Sequence, residues 1–589
     1  MIRRISVENQ KNKKYTPVKH RDNVKNSPAF TGLGSAVSNA LIKGMQICEA
    51  EPMLNVTVLD LSTAIIPRSI IETVAASKVT DENGNPVYGE NGKQKRKFNL
   101  LAGFEAFRRE GSGLLINCIL PGAFVVGAAK LLNGPFKIMG KNSKSNLTKN
   151  WADEATLNTI NTYYKGTGTS NYFETIRNMF VDLKGADGKI IDKSFAEMYK
   201  SSTDEFNGLF KELAKIANSE TVNQDSLKEV IKHIVNKTHI SENIKFTVNN
   251  PKGEYFGNSL ESLLKNTVEV LHDAQKDGIE GSESFKSYIS QAKRLTKMKS
   301  RLGMAIVLPL AIAAQPINRW ITHKTSGKKG APIYNDDEVR HLTPEEKAKL
   351  NKQKVLSIGS MLGLAWLSMM KMPSLKMLEF KKYFPTMDQA RIVSTATFAS
   401  RMGASEDFND LREATVRDLA TFSSFYFLGD YAAKAIATGI EKANPKIKLI
   451  NELRPLKENA NIFEKLWHWT KYTAIKSTNE ITNPKTANLR SVCQLGNLTF
   501  SLIALGLFIP LINRIQTNKK EQARKQQLAI EKGNANNAAS SMTSTGSTGA
   551  SVVGAASEGY LSDAKASVRG WELDLIDKKT TAFGAFLNS

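Results

Sequence analysis

At 589 residues the chain is too long for one hydrophobic core, and length alone predicts about three or four structural units. Its 81 Lys and Arg outnumber 57 Asp and Glu, for a formal charge of +24. That excess points to an anionic partner, either phospholipid headgroups or nucleic acid, or to positive flanks on membrane helices. A mean hydropathy of −0.31 excludes a chain buried wholly in lipid. Three cysteines with no C-x-x-C exclude a disulfide framework, so Cys48, Cys118 and Cys493 are expected as small core residues.

Residues 1–29 hold eight Lys or Arg and two acids without the apolar run of a secretory signal, and read as a basic, disordered tail. Residues 30–140 read as a first membrane-associated helical region. Phe30–Cys48 is rich in small residues suited to close helix packing, with Lys43 interrupting it. Leu54–Ala76 is apolar except for Asp60, Arg68 and Glu72. Gly111–Ala129 is 19 residues without a charge, between Glu110 and Lys130. Glu105, Arg108 and Arg109 just before it suggest an interfacial anchor. Pro121, mid-window, predicts a kink or break.

Residues 141–300 change character and predict a water-soluble helical insert, a candidate surface for a protein partner. Ser202-x-x-Glu205 has the form of a capping box, with Phe206, Leu209, Phe210, Leu213 and Ile216 following at helical spacing. Ser226-x-x-Glu229 predicts a second start, and Leu260, Leu263, Leu264, Val268 and Leu271 form a third stripe. Apolar stripes on polar helices mean a bundle in water.

Residues 301–516 read as a second membrane-associated region. Leu302–Asn318 is charge-free for 17 residues, Val355–Met370 for 16 and Ser491–Asn513 for 23. One central charge costs about 2.5–3.5 kcal/mol on insertion, so long charge-free windows in so charged a chain point to lipid. The shorter two also suit buried soluble helices. Pro309 predicts a second kink. Thr343-Pro344-Glu345-Glu346 is a helix start that would lead, through a Lys-rich turn, into the 355–370 window.

Arg401 through Asp418, with Glu406, Asp407, Asp410, Arg412, Glu413 and Arg417, reads as a solvated helix face on which Glu413 and Arg417 would pair. The sharper alternative is a gate or partner-binding helix. Asp430 and Lys434, also four apart, would pair along a partly inserted helix over Leu419–Ile440. Pro316-Ile-Asn-Arg-Trp-Ile-Thr322 and Pro510-Leu-Ile-Asn-Arg-Ile-Gln-Thr517 are similar, as in duplicated transporter halves or as ordinary membrane-helix exits.

Residues 517–589 read as a basic and then low-complexity tail. Gly533–Ser557 is 25 uncharged residues suited to a flexible linker, and Gly570–Ile576 contains a short apolar patch. Lys and Arg soon after Arg514 place this tail in the cytoplasm by the positive-inside rule.

No chemical signature stands out. His233 and His239, six apart, fall on different helix faces, and Gly134 to Lys141 departs from a phosphate loop in spacing and in Asn142. No catalytic residue is nominated, and neither a cofactor nor a metal is expected. Asn26-Ser-Pro-Ala-Phe-Thr-Gly32 resembles a short N-terminal signature of bacterial helical membrane proteins. The resemblance covers seven residues, implies a bacterial inner membrane and carries no mechanism. The sequence therefore predicts a mainly α, polytopic membrane protein with a soluble insert and disordered termini, acting in a non-enzymatic structural or interaction role. A transporter or channel is one alternative, and a soluble basic scaffold for nucleic acid is another.

Overall fold

The computed structural model describes, with short breaks, residues 40–75, 87–139, 150–246, 259–326, 342–369 and 375–516. The Asn26–Gly32 signature, most of Phe30–Cys48, the 533–557 linker and the 570–576 patch lie outside them. The fold is mainly helical, with five short strands among the described residues.

Four helices are long and apolar enough to cross a membrane: Met53–Val74, Leu100–Asn133, Ser282–Thr325 and Pro484–Phe508. They are the first to fourth apolar helices below. Three carry charge-free windows. The first is the 54–76 segment, whose three charges gave it the weaker signal in sequence. The helix Pro344–Met369 is not among the four, because its charge-free stretch is preceded by a Lys- and Glu-rich start. That start forms as its sequence predicts. Thr343 Oγ1 accepts the Glu346 N–H at 3.2 Å, and Glu346 Oε2 accepts the Thr343 N–H at 3.0 Å.

The central prolines do not break these helices. Pro309 and Pro316 both sit inside the continuous helix Ser282–Ser326. Before Pro121 the backbone widens into a π-helical stretch, Leu115–Ile119, and before Pro67 into another, Asp60–Ile65. A proline supplies no N–H to the carbonyl four residues back, and a widened turn accommodates that loss.

Backbones approach closely where glycine permits. A Cβ on Gly122 would stand 2.1 Å from the Tyr383 carbonyl oxygen, and one on Gly303 would stand 2.4 Å from Val125 Cγ2. One on Gly506 would stand 2.8 Å from the Thr63 oxygen, so the first and fourth helices meet at their π-helical stretches. Small residues at crossings are the usual means of packing helices where no hydrophobic force acts between them.

The insert has its own core, running from Leu157 and Tyr172 through Phe285 and Leu295. Phe180 sits at its centre, with the rings of Phe195, Phe206 and Phe210 at 5.0, 5.1 and 5.0 Å. The predicted stripes face the core, with Leu209 and Ile216 only partly buried at its edge, but two of the starts differ. Ser202 precedes Thr203–Ala217 without a side-chain cap, and the next helix starts at Gln224, capped by Asn223 rather than Ser226. The insert also contains a sheet the helical periodicity does not announce. Leu183–Asp187 lies between Ile190–Ser194 and Ile244–Phe246, antiparallel to both, with Lys184 opposite Ser194 and Lys245.

The insert is joined to the apolar helices by a continuous helix and by side-chain contacts. One helix, Ser282–Ser326, runs from the insert's core straight into the third apolar window. The backbone N–H of Phe380 donates to Ser300 Oγ at 3.1 Å, and Lys381 pairs with Asp153 at 3.3 Å. A second hairpin, Ile450–Glu452 with Thr473–Ile475, docks on the insert's turn. There the N–H of Gly188 donates to Asn451 Oδ1 and the N–H of Glu452 donates to the Gly188 oxygen, both at 2.6 Å.

Candidate functional site

The charges that bound the apolar windows collect at two levels. On the insert side, Leu132, just past Lys130, packs into the insert core, Ser300 meets Phe380, and Arg490 Nε donates to the Lys476 oxygen. At the opposite ends, Arg319 pairs with Asp410 and Glu110 meets three arginines. Glu110 to Lys130 spans about 30 Å at 1.5 Å per residue, and Arg301 to Arg319 about 27 Å. Those lengths match a bilayer's hydrocarbon thickness of about 30 Å.

The second level contains the densest ionic cluster. Ile66–Ala75 supplies Arg68 and Glu72, Leu100–Leu114 supplies Glu110, Met387–Gly403 supplies Arg401, and Phe408–Ser423 supplies Glu413, Arg417 and Asp418. Glu110 Oε1 lies 3.5 Å from Arg68 Nη1 and 3.3 Å from Arg417 Nη1, while Oε2 lies 3.2 Å from Arg401 Nη2. Arg401 and Arg417 share Asp418 Oδ1 at 2.8 and 3.1 Å, and Arg68 reaches Glu413 at 3.4 Å. Asp418 is 1% exposed and Arg401 6%.

This overturns the solvated-face expectation for 401–418. The two helices turn Arg401, Glu413, Arg417 and Asp418 inward while Glu406 and Asp407 between them stay exposed, and Glu413 bridges to Arg68 on another helix rather than completing the expected pair with Arg417. Permanently charged guanidiniums with two-pronged geometry suit such a lattice. Its chemical capacity is to clamp four helices in one register, since each acid already neutralises an arginine.

Nearby, Arg108 does more than anchor one helix. It donates to Asn318 Oδ1 at 2.8 Å and to Thr322 Oγ1 at 3.0 Å, and Asn318 Nδ2 donates to Ser112 Oγ at 2.6 Å. Asn318 belongs to the Pro316–Thr322 motif; half of its counterpart at 510–517, including the matching Asn513 and Arg514, falls outside the described residues.

Asp430 and Lys434 do not pair as their spacing suggests. The Lys434 ammonium donates to the carbonyls of Trp469 and, at 2.8 Å, Thr473, and lies 4.7 Å from the centre of the Trp469 ring. It thereby caps the C-terminal end of the helix Ile462–Tyr472, where a cation meets the negative end of the helix dipole. Ala433, Ala437 and Cys493 share one cluster, which places Lys434 near the Arg490 end of the fourth apolar helix.

The three cysteines are buried and unpaired with one another. His233 and His239 are not brought together, and His239 caps its helix in the left-handed conformation. Among the described residues no group of three or more His, Cys, Asp or Glu is placed to hold a metal. Comparison with protein-family models, with curated proteins and with solved structures found no match in any of the three.

Proposed function

We propose that this chain is an integral membrane protein whose principal role is non-enzymatic: it holds a rigid helical domain against a membrane surface, where the domain and the basic tail meet their partners. One observation carries this reading. No more than 39% of the apolar window of any of the four helices is buried within the fold. Trp320, Val355, Leu356, Trp366, Leu507 and Phe508 all face outward. A folded protein in water does not leave so much large apolar surface on so many helices uncovered. Lipid chains are the solvent that such faces fit.

The continuous Ser282–Ser326 helix supports a platform over a loosely tethered domain, because motion in the apolar bundle is transmitted to the insert without a hinge. The Lys434 contacts weigh against the transporter alternative, since this cation is engaged by carbonyls instead of lining a path with Asp430. Anionic headgroups are the natural counterpart of the basic flanks, and the 141–300 insert is the surface offered to a protein partner. The Asn26–Gly32 resemblance and the Lys and Arg after Arg514 favour a bacterial inner membrane with a cytoplasmic C-terminus.

Alkaline carbonate fractionation of cells making the full chain tests the reading. The protein is expected in the pellet and to be released only by detergent. Recovery in the carbonate supernatant overturns it, and release by high salt alone would favour a soluble, nucleic-acid-binding scaffold.

A further inference from the structure

The helix Ile462–Tyr472 is built inside out for a protein surrounded by water. Its fold-facing side is polar or mixed: His468 is buried with Nε2 2.6 Å from the Arg454 oxygen, and Trp469 Nε1 donates to Thr438 Oγ1 at 3.0 Å. The opposite face consists of Ile462, Phe463, Leu466 and Trp467, which are 80%, 70%, 58% and 52% exposed. These positions, i, i+1, i+4 and i+5, form one stripe. The helix is nonetheless firmly made. Asn461 and Glu464 form a reciprocal capping box at its start, and Lys434 holds its end.

Three features say what covers the stripe. Basic side chains border it: Lys457 before the helix, Lys465 on one flank and Lys471 on the other, with Lys471 Nζ 5.4 Å from the Trp467 ring centre. Tryptophan and tyrosine gather here, with Tyr431 5.9 Å from Trp469. The helix is also fixed by Lys434, beside the Arg490 end of the fourth apolar helix, the level at which that helix would leave the hydrocarbon. Aromatic residues with snorkelling lysines at that depth are the pattern of a helix lying in a bilayer surface.

We propose that Ile462–Tyr472 is an interfacial helix that seats its Ile462–Phe463–Leu466–Trp467 face in the headgroup boundary of a phospholipid bilayer, with the bordering lysines reaching the phosphates. This rests on the membrane reading above and adds a second, parallel anchor at the level of the insert. The anchor resists rocking of the insert against the membrane plane, because the Asn451 and Lys476 contacts join its hairpin to the insert's turn.

The test uses the full chain reconstituted in phosphatidylcholine–phosphatidylglycerol vesicles, carrying Phe463→Cys or, on the exposed side of the fourth apolar helix, Ile503→Cys, labelled with an environment-sensitive fluorophore. The unsubstituted chain, with its three buried cysteines, serves as the blank. Quenching by acyl-brominated lipid and by aqueous iodide is measured at each site. Both probes are expected to lose most of their emission to brominated lipid, with the 463 probe quenched best by shallow bromines and the 503 probe by deep ones. Lipid quenching at 503 with full iodide access at 463 overturns the interfacial helix and leaves the membrane reading intact. A 463 probe shielded from both quenchers overturns it too, because protein would then cover the face. Iodide access at both sites overturns both claims.

Discussion

Replacing Glu110 with glutamine removes the one carboxylate that three arginines share while keeping its size and hydrogen-bonding capacity. At an effective dielectric near 20, each contact at 3.2–3.5 Å is worth roughly 5 kcal/mol before desolvation is counted. Most of that attraction is spent on holding the arginines out of water. Breaking a buried pair from one side costs about 3–5 kcal/mol, because it strands the remaining charges. Here Arg401 and Arg417 keep Asp418, and Arg68 keeps Glu72 and Glu413. Glu110→Gln is therefore expected at the lower end, about 3 kcal/mol, read as a loss of unfolding free energy in denaturant titration of the detergent-solubilised protein. Combining it with Arg401→Gln should cost less than the two single losses added together, since each mutation removes the other's partner. Stability within about 0.5 kcal/mol of the parent, or strict additivity in the double variant, would refute the clamp.

The glycine crossings predict an asymmetry. Gly122→Ala drives a methyl group into the backbone oxygen of Tyr383 and is expected to destabilise by about 1–3 kcal/mol. Gly359→Ala and Gly363→Ala meet nothing within 4 Å and should be neutral or slightly stabilising through helix propensity; equal effects at all three sites would contradict the packing. Asp187 gives a pH prediction. Burial pushes its carboxyl up, but hydrogen bonds from Lys193 and Lys476, at 2.8 and 2.7 Å, outweigh burial and hold it below the usual carboxylate range. A carboxylate depressed on folding contributes fully above its ordinary pKa near 4, and that contribution fades as pH falls through the lowered folded value. Thermal melts from pH 6 downward should therefore show a shallower acid loss for Asp187→Asn than for the parent, and parallel curves would count against the contact. Cutting the hairpin's grip on the insert with Asn451→Ala, which removes the acceptor for the Gly188 N–H, should cost about 1–3 kcal/mol and raise amide exchange at Gly188.

Much of the fold was legible because helical periodicity and charge-free runs are local signals. Phe206, Phe210 and Leu213 lie in the core where their spacing places them, and Thr343 caps the helix it precedes. The Leu183–Ser194 hairpin was missed although Asp187-Gly188 is a turn signature, since its strands lack apolar alternation; Gly188 takes the positive φ of 64° that such a turn requires. The ion cluster was illegible for another reason. Arg68 and Glu413 are 345 positions apart, and helical spacing speaks only of neighbours on one helix. Spacing favoured Glu413 with Arg417 and Asp430 with Lys434, and tertiary partners took Glu413 and Lys434. Asn223 displaced Ser226 as a cap because the four polar residues Asn223 to Ser226 offer more than one start, and the helix begins where Leu227 and Val230 reach the core.

Sedimentation of the purified full-length chain, with and without a density-matched detergent, tests most directly whether lipid chains solvate the outward apolar faces. The particle is expected to carry a belt of bound detergent and to aggregate when the detergent is withdrawn. A monodisperse, detergent-free monomer in plain buffer would mean that those faces live in water, and the membrane account would be wrong.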